Sequence, residues 1–220
     1  MPKSKRSKSV VLTQTKKKGN DNKINLIEEV RKCIDEYPII YLIKVKNMRN
    51  QYLKEVRTDW KGSRFFFGKN RVMAKALGTT EDEAIHENLH ILANKLTGDV
   101  GLLFSSTKPE EAKNYFEGKT ETDYARTGQI ATETVVLPSG PVLIAGDAFP
   151  HSMEPQLKSL GVTSSLKNGV VINECDYTIC KEGDVLTSSQ ARLLKMFCIP
   201  MSEFRVDVLG YYSEGKYYDL

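Results

Sequence analysis

The sequence predicts an α/β fold, in which a smaller α+β domain is inserted into a layered domain before its C-terminal strands. Strand-like apolar runs alternate with amphipathic helix patterns up to about residue 118, an order typical of helices that cover a sheet. Past residue 126 the apolar runs are short and Pro and Gly are frequent, and alternating strand patterns return after residue 200. We therefore expect a basic flexible arm at 1–19, a first domain at 20–126 plus 201–220, and an inserted domain at 127–200.

The first domain opens with a helix and a strand. Ile24, Ile27, Val30 and Ile34 recur at helical spacing, and Pro38 is expected to end this helix. The apolar run Ile39–Val45 that follows predicts a buried strand.

The next segments keep the same alternation. Their predicted order is a helix over 47–60 with Asn47 as its N-cap, a strand in "SRFFFG", a short helix in "KNRVMAKALG" closed by Gly78, a long helix in "TEDEAIHENLHILANKLTG", a strand in "DVGLLFSS" and a helix in "KPEEAKNYFEG". In the long helix, Thr80 and Glu83 have the spacing of a capping box.

The inserted domain is predicted from shorter patterns. Strand-like runs lie at Glu133–Leu137, Val142–Ile144, Gly169–Asn173 and Tyr177–Cys180, and helix patterns lie at Pro155–Leu160 and Ser188–Phe197. The last segment, "EFRVDVLGYYSEGKYYDL", predicts two strands joined at a Ser-Glu-Gly turn, with tyrosines that pack on the first sheet.

Composition limits the classes of protein. Of the 220 residues, 40% are hydrophobic and 27% are charged, which fits a globular chain with a real core. No apolar run approaches the ~20 residues of a membrane span, and the first residues lack the apolar stretch of a secretory signal, so no membrane partner is expected. The cysteines lack metal-ligand spacing and predict reduced, mostly packed thiols. They are Cys33, Cys175, Cys180 and Cys198.

Positive charge is concentrated in two segments. Residues 1–19 contain seven Lys or Arg and no acidic residue, and residues 44–75 contain ten basic and two acidic residues. Residues 76–220 contain twelve basic and twenty-one acidic residues, so the net charge is only +4. This segregation indicates a localised site for a polyanion. The arm is typical of nuclear import signals or nucleic-acid tethers.

The stretch "WKGSRFFFGKN" looks like the end of a nucleotide-binding P-loop, but its spacing is wrong. That motif requires Gly, four residues, then Gly-Lys-Ser/Thr. Here five residues separate Gly62 from Gly68, and Asn70 stands at the hydroxyl position. Nucleotide hydrolysis is therefore not predicted.

A second enzymatic alternative depends on "HENLH", which matches the zinc-protease pattern H-E-x-x-H. On a helix, His86 and His90 could hold Zn²⁺ while Glu87 acts as a general base, with Glu110 as a third ligand. The apolar stripe of this helix places both histidines on its flank, toward solvent, which favours two surface histidines. We predict no catalytic residue, no metal and no cofactor, with a zinc hydrolase as the alternative.

Basic and amide side chains follow two predicted strands where each passes into a helix. Such junctions favour anions, Lys and Arg supply charge for phosphates, and Asn can donate to a phosphate, a ribose or a base edge. Gly68 would let a ribose-phosphate approach closely. If the two strands are adjacent and parallel, both junctions open on one edge. The predicted RNA-binding residues are Lys44, Lys46, Asn47, Arg49, Asn50, Gly68, Lys69, Asn70, Arg71 and Lys75.

Several segments resemble the ribosomal L10 family, the stalk-base proteins of the large subunit. The run "YPIIYLIKVKNMRNQYLKEVRTDWKGSRFFFGKNRVMAKAL" is similar to the family's N-terminal rRNA-binding domain, including its "GKN" before a basic helix. "GDVGLLFSS", "ARTGQIATETV" and "SSQARLLKMFCIPMSEF" are similar to further family segments, and the resemblance covers roughly 23–220. It implies a non-catalytic protein that binds large-subunit rRNA at the stalk base, beside an L11-type ribosomal protein.

Departures from the ribosomal pattern resemble an assembly factor of that family. Neither stalk-dimer helices nor an acidic tail follow Leu220, a basic arm is present, and Arg71 stands where the ribosomal protein usually has Thr. The resemblance implies a factor of the nucleus and nucleolus, and of the cytoplasm on late precursors. It would occupy the stalk-base rRNA of the pre-ribosomal large subunit until the ribosomal protein replaces it. A truncated stalk-base ribosomal protein is the other alternative.

Overall fold

The computed structural model describes residues 20–144 and 146–220. They divide into two compact units. Unit 1 has the described ranges 20–43, 61–107 and 209–220, and unit 2 has 44–60 and 108–208 apart from residue 145. The arm predicted at 1–19 lies outside the described residues.

Helices and strands are numbered in chain order. The helices are α1 (Asp21–Glu36), α2 (Asn50–Asp59), α3 (Asn70–Leu77), α4 (Leu89–Asn94), α5 (Pro109–Gly118), α6 (Glu154–Ser159) and α7 (Ser188–Met196), with a 3-10 helix at His151–Met153. The strands are β1 (Ile39–Lys46), β2 (Arg64–Phe66), β3 (Val100–Ser105), β4 (Thr120–Asp123), β5 (Val135–Leu137), β6 (Gly140–Pro141), β7 (Leu143–Ile144), β8 (Asp147–Ala148), β9 (Ser164–Lys167), β10 (Val170–Asn173), β11 (Tyr177–Cys180), β12 (Ser202–Ser213) and β13 (Lys216–Asp219). None of these helices combines the length and apolar character that a membrane span needs.

Unit 1 is built on a sheet with the strand order β13-β12-β1-β3-β2. Every residue of β3 is buried, and Ile40 and Leu42 of β1 are also buried. These strands pack with α1, α3 and α4 in one apolar core, to which Tyr212 of β12 belongs. The predicted packing of C-terminal tyrosines on this sheet is therefore confirmed.

Local signals end several elements of unit 1 as predicted. Tyr37 is extended (φ −112°, ψ 134°) because Pro38 disfavours helical geometry at the residue before it, so α1 ends there. Gly78 closes α3 with φ +97°. Glu214 and Gly215 both have positive φ between β12 and β13, as a two-residue hairpin turn requires.

The long helix predicted before Gly98 is wrong over its first half. Residues 79–88 form turns, and α4 begins only at Leu89. The backbone N–H of Ile85 donates to Leu77 O (3.4 Å), and a Cβ on Gly78 would lie 2.4 Å from Glu83 O. This segment therefore folds back over the end of α3. Its capping box is absent, because the hydroxyl of Thr79 rather than Thr80 bonds the Glu83 carboxylate (2.9 Å).

The assumed adjacency of β1 and β2 is also wrong. Strand β3 lies between them, and β2 runs antiparallel to β3 with Phe65 opposite Leu103. A strand with six buried residues is suited to the middle of a sheet, whereas short β2, with exposed Arg64, is suited to its edge. The two strands therefore do not meet the condition, adjacent and parallel, under which both basic junctions were expected to open on one edge.

Unit 2 contains a second apolar core, formed by residues between Ala125 and Met201. Around it lie a sheet of order β6-β10-β9, the pairs β11-β5 and β7-β8, and helices α6 and α7. The strands and helices predicted for 133–197 are confirmed within a few residues at each end. In the same unit β4 pairs antiparallel with β12, from Thr120 opposite Arg205 to Asp123 opposite Ser202.

The units differ from the predicted domains at 44–60, 108–126 and 201–208, which cluster with unit 2. Aromatic packing is one reason, because the rings of Trp60 and Phe116 stack with centroids 5.1 Å apart. The Tyr115 hydroxyl also donates to Asp59 (2.6 Å). Helices α2 and α5 are joined by these contacts, which the sequence pattern does not reveal.

All four cysteines are free thiols. Cys33 and Cys180 are buried, and burial raises the pKa of both thiols. The prediction of mostly packed cysteines is wrong for Cys175 and Cys198, which are exposed. Cys198 follows α7 in the left-handed region (φ +58°), which turns the chain out of the helix.

Candidate nucleic-acid interface

The β2–α3 junction of unit 1 is closely packed at Gly68. A Cβ at this position would lie 2.6 Å from Leu26 Cδ2 and 3.4 Å from Met73 Cγ. The backbone of Gly68 is not in the left-handed region. A side chain at this position would therefore have to displace the end of the flexible Leu26 side chain of α1, whereas no unusual φ requires a glycine here.

Helix α3 presents three exposed cations. Lys69, Arg71 and Lys75 are all exposed, and none of them pairs with a carboxylate in the described chain. The helix contains no acidic residue, and its N-cap Lys69 offers no side-chain acceptor to the first turn. Lys69 and Arg71 thus lie at the N-terminal end of the helix, which already favours an anion, and Lys75 lies in its last turn.

Asn70 has a structural contact of its own. Its side-chain nitrogen donates to Gly98 O (2.7 Å), which ties the start of α3 to the loop before β3. Two of the five residues predicted at this junction, Gly68 and Asn70, contact other parts of the protein. The other three, Lys69, Arg71 and Lys75, form no ion pair with the described residues.

The β1–α2 junction of unit 2 has a different character. Lys44 is exposed and has no ion pair within the described ranges, and Asn50 is exposed at the first position of α2. Lys46 pairs with Asp207 (2.8 Å), which also binds Arg205 (2.6 Å). Lys46 is half exposed, so this pair is weakly held and its ammonium is accessible to solvent.

Asn47 is not the N-cap of α2, and that prediction is wrong. It adopts φ +50°, and Arg49 occupies the capping position. Its side-chain nitrogen donates to Glu203 O (2.9 Å), and its side-chain oxygen accepts from Gln129. Asn47 therefore fastens the β1–α2 junction to two distant segments of unit 2.

Arg49 is held in a similar way. Its Nε lies 2.6 Å from Asp123 Oδ2, its guanidinium also donates to Tyr124 O, and its side chain is only 17% exposed. A hydrogen bond with the Cys198 thiol raises the pKa of the neighbouring Tyr124 hydroxyl. The sequence identified Arg49 but missed Asp123, Tyr124 and Gln129, because nothing local links them to residue 49. The available signal was the segment "ARTGQIATETV", which resembles the L10 family and contains Gln129.

The histidine motif lacks the helix on which a zinc site would depend. His86 lies in the turns before α4 and His90 lies within it, so the two are not one helical turn apart. His86 Nε2 lies 3.7 Å from Asp35 Oδ1. Among the described residues, no group of three His, Cys, Asp or Glu side chains is arranged to hold a metal ion.

Comparison with known proteins gives high similarity over almost the full chain. The ribosome assembly factor mrt4 of Schizosaccharomyces pombe is 47% identical over 97% of this chain and 92% of its own length. The ribosome assembly factor MRT4 of Saccharomyces cerevisiae is 38% identical over 98% of this chain and 95% of its own length. The chain belongs to the Mrt4 family. The expected resemblance to L10-type proteins is also confirmed.

The relation of the Mrt4 family to ribosomal proteins is visible in the same chain. A family model described as ribosomal protein L10 matches residues 18–120, and one described as the insertion domain of the 60S ribosomal protein of this L10 type matches 125–199. The large ribosomal subunit protein uL10 of Thermococcus onnurineus is 26% identical over 87% of this chain and 56% of its own length. This Mrt4-family chain is thus an α/β protein with an L10 domain and an insertion domain.

Proposed function

We propose that this protein is a non-catalytic ribosome biogenesis factor that binds large-subunit rRNA at the stalk base of precursor particles. The observation that carries the proposal is the set of exposed, unpaired cations on acid-free α3, in a chain 47% identical to a relative named as a ribosome assembly factor. These cations form no ion pair within the described residues, and phosphates would neutralise them. The lower identity to uL10, 26%, favours an assembly factor over a truncated ribosomal protein.

The predicted residues divide into two roles in this proposal. The exposed side chains contact the rRNA directly, and Lys46 exchanges Asp207 for a phosphate. Gly68, Asn70, Asn47 and Arg49 instead hold the two junctions in shape through their protein contacts. The direct contacts are Lys44, Lys46, Asn50, Lys69, Arg71 and Lys75.

The proposal extends to partners, location and domains. The factor would lie beside an L11-type ribosomal protein in the nucleolus and nucleus, and in the cytoplasm on late precursors, until the stalk-base ribosomal protein replaces it. Residues 20–126 plus 201–220 would form the layered rRNA-binding domain, with 127–200 inserted into it. The two family-model matches, to 18–120 and 125–199, support this division.

The decisive experiment is crosslinking of the tagged full-length protein to RNA in cells, followed by sequencing of the attached fragments. The expected result is enrichment of one short region of large-subunit rRNA at the stalk base, recovered with nucleolar precursor particles. Fragments spread over mRNAs, or over rRNA without a peak, would contradict the proposal. A Lys69→Ala, Arg71→Ala double variant should lower the peak, whereas Lys216→Ala, an exposed lysine on β13, is the matched control.

A further inference from the structure

Unit 2 contains a basic groove that the sequence did not predict. It lies between the segment Asp123–Thr127 and one face of α7, and its volume is about 520 Å³. The residues that α7 contributes are spaced three and four apart, so they share one side of the helix. They are Ser188, Ala191, Arg192 and Lys195. We name this feature the α7 groove.

Three cations of the α7 groove have no acidic partner. Arg126, Arg192 and Lys195 are exposed, and none forms an ion pair with any carboxylate in the ranges that the structure describes. Asp123 is the only acidic residue of the lining. Its Oδ2 is bound by Arg49 Nε and its Oδ1 accepts from the Tyr124 backbone, both at 2.6 Å. The groove therefore carries about three uncompensated positive charges.

The surrounding sequence adds no neutralising charge. Neither α7 nor the stretch 124–132 contains an acidic residue. The N-terminus of α7 is closed by the capping box of Thr187 and Gln190, so side chains rather than helix N–H groups are available to an anion. The hydroxyls of Thr127 and Ser188 line the same groove and can donate hydrogen bonds.

We propose that the α7 groove binds a run of phosphates in an RNA backbone, as a second contact to the rRNA of the proposed function, on which this inference rests. An acidic peptide would need apolar pockets for its anchor side chains. Besides the ring of Tyr124, the apolar residues of the lining are Ala125 and Ala191, which are small and buried. The cationic forks and hydroxyl donors along the groove suit phosphates, which need no apolar anchor.

The test uses the full-length protein and a variant with Arg192→Gln and Lys195→Gln. Both side chains are exposed on a helix, and glutamine is a good helix former, so thermal unfolding should be unchanged. The control variant carries Lys167→Gln and Lys181→Gln, two exposed lysines of unit 2 outside the groove. Affinity for a stalk-base rRNA fragment is measured by fluorescence anisotropy at several salt concentrations.

The groove variant should bind more weakly with a shallower salt dependence. Each lost phosphate contact lowers the slope by about 0.7–0.9 and weakens binding about five- to eightfold at 0.1 M salt. The control variant should match the wild type. Equal slopes for the two variants, while a Lys69→Ala, Arg71→Ala variant still loses affinity, would overturn the α7 groove but not the proposed function.

Two further outcomes separate the remaining possibilities. If the groove variant keeps its rRNA affinity but loses binding to poly-glutamate, the groove belongs to an acidic protein and this inference fails. If the wild type does not prefer the stalk-base fragment over an unrelated RNA of equal length, the proposed function is contradicted. The proposed role of the α7 groove, which rests on it, is then contradicted as well.

Discussion

Two kinds of side chain meet at the strand–helix junctions. Lys69, Arg71 and Lys75 extend from α3 without a protein partner, so their charge is available to a ligand. The side chains of Asn47 and Arg49 form hydrogen bonds and an ion pair with other segments of unit 2. Substituting the first kind should change ligand binding, whereas substituting the second should change protein stability first.

Lys69→Ala tests the first kind. Loss of one phosphate contact should reduce the salt slope of rRNA binding by about 0.7–0.9, with the melting temperature unchanged because the side chain is exposed. Anisotropy titrations at two salt concentrations measure the slope. Lys216→Ala should leave the slope unaltered, and a Lys69→Ala slope equal to that of the wild type would remove Lys69 from the interface.

Gly68→Ala tests packing at the same junction, and its sign should depend on Leu26. A new methyl group would lie 2.6 Å from Leu26 Cδ2, the end of a flexible and half-buried side chain, so its accommodation should cost about 1 kcal/mol, the low end of the range for overpacking. Replacing a glycine at permitted φ returns about 0.4–1 kcal/mol, so the wild type should be destabilised only slightly. In a Leu26→Ala background the close contact disappears and the same substitution should stabilise. Urea unfolding of the four proteins measures both effects, and an equal cost in both backgrounds would refute this account.

Helix and strand boundaries were predictable where a local signal fixes the backbone. Pro38 ends α1, Gly78 ends α3, and Glu214 with Gly215 forms the final hairpin turn. The prediction of a long helix before Gly98 was wrong because the backbone N–H of Ile85 bonds to Leu77 O in the first half of that segment, which a helix does not allow. Helical periodicity depends on the spacing of apolar residues and does not predict such a contact.

The candidate site was predictable in the same partial way. The concentration of basic residues at 44–75 pointed to Lys69, Arg71 and Lys75. Their exposure was predictable because charged side chains on a short amphipathic helix lie on its polar face. The partners of Arg49 were not predictable, because Asp123 and Tyr124 are distant from it in sequence. They come close to Arg49 only when β4 pairs with β12. The α7 groove was missed for the same reason.

Arg49→Ala should destabilise unit 2. The substitution leaves the Asp123 carboxylate without its cation, and we expect a loss of about 1–2 kcal/mol, less than for a fully buried pair because both side chains are roughly a fifth exposed. A double-mutant cycle with Asp123→Asn should give a coupling of about 0.5–2 kcal/mol. The exposed pair of Arg64 and Glu29 (3.6 Å) is the control, and Glu29→Gln should cost about 0.5 kcal/mol or less. A coupling near zero for Arg49 and Asp123 would contradict their structural role.

The basic residues of the arm and those of the predicted rRNA contacts lie in different segments of the chain. Nuclear import and rRNA binding should therefore be separable by mutation. The basic arm at 1–19 is predicted to direct nuclear import, whereas the rRNA contacts lie in other segments. Deleting residues 1–19 should move a fluorescently tagged protein from the nucleus to the cytoplasm with rRNA affinity largely retained. An arm of equal length with its seven basic residues changed to Gln should behave like the deletion. Undiminished nuclear accumulation of either variant would show that the arm does not direct import.

The strand order of unit 1 has a consequence for how the protein is made. Strand β1 needs β12 on one side and β3 on the other, and β12 begins at Ser202, long after β3 ends at Ser105. At about 5–20 residues per second, β1 and β3 emerge many seconds before residues 209–213 can join them. During that interval the apolar strand β1 has an open edge, which invites pairing with other chains. The nascent protein should therefore depend on a chaperone that covers this edge until β12 has been translated.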